Sequence, residues 1–124
     1  MKTLKKFLVS IVIVFLVLSA GLAIWGYTGG APMPEAIQAL NSDELVTVES
    51  GNWLVFNPAG EKIDTGFIFY PGARVDVRAY APYARAIAEQ GVLVIIPRMP
   101  LNFAVFGVNQ AETVIKAFPE TNHW

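Results

Sequence analysis

The stretch of this chain with the most evident chemical use is Gly66-Phe67-Ile68-Phe69-Tyr70-Pro71-Gly72-Ala73-Arg74-Val75-Asp76, an apolar strand running into a tight, glycine-containing turn. Backbone N–H groups at such a turn can hold a developing oxyanion. No serine or cysteine follows it, and the single histidine, His123, is the penultimate residue. A serine hydroxyl is a poor nucleophile until a positioned imidazole takes its proton. These residues therefore supply one part of a hydrolytic site, and no catalytic nucleophile, acid or base is assigned to them.

The length of 124 residues allows one domain at most, and the N-terminus is not available to it. Lys2, Lys5 and Lys6 precede an uncharged apolar run over residues 7–25, opening on Phe7 and closing on Trp25. At about 1.5 Å per residue the run spans roughly 28 Å, close to the hydrocarbon thickness of a bilayer. The membrane is thus the partner expected of Phe7 to Trp25. The lysines place the N-terminus in the cytoplasm and the domain on the extracytoplasmic side of the cell membrane, as a single-pass protein. The run is long for the apolar core of a signal peptide and reads as an uncleaved anchor. Secretion after signal cleavage is the alternative, with Gly21-Leu22-Ala23 supplying small residues.

Without its first six residues the chain carries six basic and ten acidic groups, a net charge of −4, which argues against nucleic acid. The lack of cysteine excludes disulfides and thiolate metal sites, and one histidine argues against an imidazole site. No metal and no cofactor is implied.

Three regions follow: residues 1–26 as transmembrane anchor or signal, 27–45 as linker, and 46–124 as domain. The Gly- and Pro-rich stretch from Gly26 to Pro34 reads as a spacer lifting the domain off the membrane. A short helical turn is expected between Glu35 and Leu40. Val46-Thr47-Val48-Glu49 and Trp53-Leu54-Val55-Phe56 are β-prone runs separated by Ser50-Gly51-Asn52, a hairpin. Asn57-Pro58-Ala59-Gly60-Glu61 is a second turn. A continuous apolar strand, covered on both faces, is expected from Thr65 to Tyr70. Tyr80, Tyr83, Ala84, Ile87 and Ala88 make one helical stripe, ended by Gly91. Val92-Leu93-Val94-Ile95-Ile96 is a second buried strand, parallel to the first. After a loop, Asn109 and Glu112 resemble a capping box, with Ala111, Val114, Ile115 and Phe118 as the buried face of a last helix. The class is α/β, a β-hairpin then βαβα.

From about Val46 to Trp124 the sequence resembles the N-terminal part of an α/β-hydrolase fold. It is most similar to the dienelactone-hydrolase-like and chlorophyllase-like bacterial members. The pieces that carry the resemblance are Phe69-Tyr70-Pro71-Gly72-Ala73-Arg74-Val75-Asp76, Tyr80-Ala81-Pro82-Tyr83-Ala84-Arg85-Ala86-Ile87-Ala88, Val92-Leu93-Val94-Ile95-Ile96-Pro97, Pro100-Leu101-Asn102 and Ala104-Val105-Phe106-Gly107. Val77 stands where a proline is expected.

The resemblance implies a serine hydrolase acting on a small-molecule carboxylic ester or related acyl substrate. Its chemistry needs a Gly-x-Ser-x-Gly elbow, then an acid, then a histidine. Ser10, Ser19, Ser42 and Ser50 all lie upstream of the parallel strands, and none sits in such an elbow. His123 falls where the strand before the elbow begins, and otherwise reads as a solvated terminal residue. The resemblance also implies that one oxyanion donor comes from the loop after Tyr70, with Gly72, Ala73 and Arg74 as candidates and Ala73 foremost. Without it, Pro71-Gly72 reads as a strand-to-helix turn.

The remaining assignments are local. Arg74 faces a substrate carboxylate, or is an exposed loop residue or the partner of Asp76. Asp76 caps the following helix. Asn102 and Phe103 are candidates for a substrate pocket, against ordinary loop packing. Trp53 is a core aromatic, Trp25 a membrane-interface one. Tyr80 and Tyr83 pack in the core.

Two functions compete. One is the N-terminal portion of a membrane-anchored, exported hydrolase, inactive as given, whose other half is encoded downstream, lost to a frameshift or simply not included. The other is a non-catalytic, membrane-tethered half-domain, a binding module or an inactive gene remnant. In the family's strand order, 1-2-4-3-5, the strand from Thr65 to Tyr70 would be a bare edge prone to self-association.

Overall fold

A computed structural model describes residues 2–60 and 63–124. In chain order the helices are α1 (Lys2–Tyr27), α2 (Pro34–Gln38), α3 (Ala81–Ala88) and α4 (Gln110–Ala117), and the strands are β1 (Val46–Ser50), β2 (Trp53–Pro58), β3 (Gly66–Ile68) and β4 (Leu93–Pro97). Short 3-10 turns at Val77–Tyr80, Pro100–Asn102 and Ala104–Gly107 complete the connections. Glu61, the last residue of the second turn, lies outside the described residues.

The four strands form one mixed sheet in the order β1-β2-β4-β3. β1 pairs antiparallel with β2, β2 antiparallel with β4, and β3 parallel with β4. The hairpin turns at Gly51, whose N–H donates to the Trp53 carbonyl at 2.9 Å. All five residues of β4 are buried because both sheet faces are covered there. One face packs Leu54, Phe56, Val94 and Ile96 against Val77, Ala81, Ala84 and Ala88. The other packs Val55, Leu93 and Ile95 against Val114.

The small residues Ala81, Ala84 and Ala88 form the buried stripe of α3, so the helix seats closely on the sheet. Tyr83, expected in the core, is instead 67% exposed. It stands about a third of a turn from Ala84, too far round to share that stripe. Tyr80 is half-buried, its ring 4.9 Å from Phe69. Past α3 the chain reverses at Gly91, whose φ of 86° suits a residue without a side chain.

α4 buries only Val114 fully, and Ile115 is exposed. Nor does Asn109 cap this helix with its side chain. The Tyr70 hydroxyl does that work, accepting from the Ala111 N–H at 2.8 Å and donating to the Val108 carbonyl at 3.2 Å. Glu112 pairs with Lys116 instead, at 2.6 Å.

β3 is shorter than expected, and Phe67 is exposed because β3 lies at the margin of the sheet. Its outer edge is nonetheless not bare at its start. Thr65 and His123 form a parallel bridge, the Gly66 N–H donates to the His123 carbonyl at 2.8 Å, and the His123 N–H donates to the Asp64 carbonyl at 3.0 Å. The Trp124 ring lies over Gly66, leaving no room for a side chain there. The His123 imidazole, though exposed, lies 3.4 Å from the Asp64 carboxylate. The chain thus places His123 beside β3, where the resemblance puts the start of the next strand.

Candidate functional site

β3 and β4 run parallel, so their carboxyl ends lead into two loops on the same end of the sheet. In open α/β sheets this end is where ligands bind. The Phe69 N–H donates to the Ile95 carbonyl at 2.9 Å, carrying the ladder one step further before the first loop departs at Pro71. Asp76 closes that loop: its carboxylate accepts from the Arg78 N–H at 2.9 Å, capping the turn Val77–Tyr80 as expected. The Arg78 guanidinium then grips the same carboxylate at 2.6 Å. That hydrogen bond is the main cause holding the Asp76 carboxyl below its ordinary range, against a smaller opposing effect of burial.

The three amides expected to face an oxyanion have different fates. The Gly72 N–H donates to the Tyr80 hydroxyl at 2.9 Å. A Cβ on Gly72 would lie 2.8 Å from that same oxygen, so a larger residue there would have to displace the Tyr80 hydroxyl. The Arg74 N–H donates to the Asn102 carbonyl at 2.7 Å, tying the first loop to the second. Ala73 is exposed, and its N–H has no acceptor among the described residues.

The side chains of Arg74, Asn102 and Phe103 turn toward the end of α1. Arg74 Nε donates to the Trp25 carbonyl at 3.0 Å, and its guanidinium sits 4.0 Å from the centre of the Trp25 ring. Asn102 Nδ2 donates to the Gly26 carbonyl at 3.3 Å, and the Leu101 N–H donates to the Tyr27 hydroxyl at 3.3 Å. The Phe103 ring stacks on Trp25 at 5.8 Å. Carbonyls left over at the end of α1 are thereby satisfied by donors from both loops, and Arg74 puts a cation at the negative end of the helix dipole. Arg74 pairs neither with Asp76 nor outward to solvent alone.

The segment expected to act as a free spacer is packed here too. Gly26 is buried against Leu101, Gly29 lies against the Arg74 carbonyl, and Gly30 bridges to Val75. Its glycines permit close approach to the loop rather than slack.

Among the described residues, the non-glycine residues with positive φ are Arg74 (58°), Leu101 (55°) and Asn102 (56°). Each such residue costs roughly 1–2 kcal/mol. All three lie at this junction, where strain of this kind tends to mark functional parts. A cavity of about 360 Å³ opens beside it, lined by Tyr27, Asp76, Val77, Arg98, Met99 and Asn102. Asn102 is among the residues lining this cavity, and Phe103 instead stacks on Trp25.

Residues 66–124 match the alpha/beta hydrolase family. The matched stretch opens at β3 and takes in the candidate loop, α3, β4, the second loop and α4. It supports the superfamily and a hydrolase-like fold for this part of the chain. No curated protein and no solved structure matches the chain.

The four serines remain remote from the loop in role. Ser10 and Ser19 are in α1, Ser50 ends β1, and the Ser42 hydroxyl accepts from the Val48 N–H at 2.9 Å. Sequence reasoning missed Tyr80 as the acceptor for Gly72 and Tyr27 and Trp25 as partners of the second loop. Only the aromatic character of these residues hinted at a role, and it pointed to core or membrane.

Proposed function

We propose that this chain is the N-terminal portion of a membrane-anchored serine hydrolase acting on carboxylic esters or related acyl substrates, with the Ala73 N–H as one oxyanion donor. The observation that carries the reading is the state of the three amides at the carboxyl end of β3. Two are held internally, and the Ala73 N–H is left open at the surface. The match over residues 66–124 supplies the family context. An amide so fixed costs no reorganisation when charge develops, which is what makes such donors effective. Within the family, the Tyr70-Pro71-Gly72-Ala73-Arg74 loop favours the dienelactone-hydrolase-like and chlorophyllase-like members. α1 is long and apolar enough to cross a membrane or to act as a signal sequence, and the anchor reading rests on that. The nucleophile, acid and base would come from beyond Trp124.

The test is the reading frame downstream of Trp124 and the protein it encodes. An elbow of the form Gly-x-Ser-x-Gly within about 15 codons, and covalent labelling of that longer protein by a fluorophosphonate, are expected. A stop codon after Trp124 with no elbow in any frame would overturn the proposal. The contacts of Arg74, Asn102 and Phe103 with α1 favour a second reading, a tethered module without catalysis, and that outcome would select it.

A further inference from the structure

We infer that the segment of residues 103–108 rests on the lipid surface beside α1, so that the candidate site opens at the bilayer interface rather than into bulk water. The inference rests on the membrane-anchor reading of α1.

Val105, Phe106 and Val108 are 68%, 55% and 65% exposed. They do not dangle. Gly107 is buried against Met99, the Val108 carbonyl accepts from the Tyr70 hydroxyl at 3.2 Å, and the Phe106 N–H donates to the Phe103 carbonyl at 3.1 Å. An ordered turn therefore holds three apolar side chains outward, an arrangement that marks an interaction surface.

The occupant follows from what adjoins it. The Trp25 ring at the end of α1 stacks on Phe103 at 5.8 Å, and Phe103 meets Phe106 at 6.0 Å. The exposed turn is thus continuous, ring to ring, with the last apolar residues of the spanning helix. Trp is a residue of the membrane–water interface, and Phe106 lies two ring contacts away from it. No charged residue occurs between Arg98 and Glu112. A protein-facing patch ordinarily carries a polar rim, whereas a lipid-facing one needs apolar side chains flanked by cations at headgroup height. Arg74, over the Trp25 ring, supplies that cation.

A substrate that partitions into the bilayer, an amphiphilic acyl ester, would reach Ala73 laterally across this surface. That substrate class depends on the hydrolase reading; the lipid contact does not.

The chain has no cysteine, so a single introduced one takes a label cleanly. Full-length protein carrying Val105→Cys, Phe106→Cys or Val108→Cys, each with an environment-sensitive fluorophore, is reconstituted in phosphatidylcholine–phosphatidylglycerol vesicles. Leu16→Cys reports on α1, and Glu89→Cys, at the opposite end of β4, reports on the solvated domain. Nitroxide lipids quench the label, with the nitroxide either near the headgroup or at the acyl-chain end.

Labels at the three turn positions should show blue-shifted emission and quenching by the headgroup nitroxide several-fold above that at Glu89→Cys. Strong quenching of Leu16→Cys by the deep nitroxide, with turn labels no more quenched than Glu89→Cys, overturns the inference and leaves the anchor standing. Blue-shifted but unquenched turn labels mean that protein covers the turn, which also overturns it. An unquenched Leu16→Cys fails the anchor reading itself, and the inference falls with it.

Discussion

The backbone N–H of Arg74 donates to the carbonyl of Asn102 at 2.7 Å, while the side chains of both residues reach carbonyl oxygens in the last turn of α1. One pair of residues therefore joins the β3 loop, the β4 loop and the helix. Each loop is held by the other, and the helix is held by both.

Arg74→Ala should loosen α1 from the domain. It removes the bond to the Trp25 carbonyl and the guanidinium–indole contact, together worth about 1–2 kcal/mol. The expected outcome is faster amide exchange at Thr28, whose N–H bonds to the Ile24 carbonyl in the turn that Arg74 caps. Exchange in β4, buried throughout, should hardly change. Equal acceleration in both would show that Arg74 supports the whole domain instead.

Gly72→Ala and Tyr80→Phe should be coupled. Alone, Gly72→Ala must push the Tyr80 hydroxyl away, since its Cβ would lie 2.8 Å from that oxygen. The overpacking cost is about 1–3 kcal/mol. Tyr80→Phe removes the obstructing oxygen, so most of that cost should vanish in the double variant. A double-mutant cycle from urea denaturation measures the coupling, and simple additivity would refute the close approach.

Tyr70→Phe should destabilise by about 1–3 kcal/mol, because the Ala111 N–H and the Val108 carbonyl both lose their partner. The loss should be local, appearing as fraying of the first turn of α4 in amide exchange. Normal protection at Ala111 in the variant would mean that Asn109 takes over as the cap.

Acid should weaken the candidate loop from one side only. The Asp76 carboxyl is held below its ordinary 3.8 by Arg78, and Asp43 below the same value, chiefly by the N–H groups of Val46 and Leu45. A carboxyl with a lowered folded-state pKa contributes stability that is present above its unfolded value, near 4, and lost as pH falls through the folded one. Stability should therefore be level from neutrality down to about pH 5 and fall below about pH 4. Asp76→Asn should flatten part of that acid limb in urea titrations taken at successive pH values.

Much of the fold was legible where local pattern decides it. The Ser50-Gly51-Asn52 turn between alternating strands, the wholly apolar β4 and the Gly91 stop each rest on neighbours a few residues apart. The strand order was implied by the family resemblance and agrees with the pairing observed. What resists reading rests on side-chain contacts that no local pattern announces, some of them across long stretches of chain. Nothing near Tyr80 announces that its hydroxyl will take the Gly72 amide. Nothing near Gly29 says that it must clear the Arg74 carbonyl. A stripe drawn by hydrophobicity alone places Tyr83 and Ile115 in the core, whereas α3 seats on the sheet through alanines and α4 through Val114 alone. Of the candidate site, the turn after β3 is legible in Pro71-Gly72, but the capture of the Gly72 and Arg74 N–H groups by Tyr80 and Asn102 is not.

The way α1 ends has a mechanical consequence. Tension along that helix enters the domain at Arg74, Asn102 and the Gly30–Val75 bridge, before it reaches any strand. The loop that carries Ala73 thus lies in the load path between α1 and the sheet, and its shape becomes a gauge of how the helix is pulled.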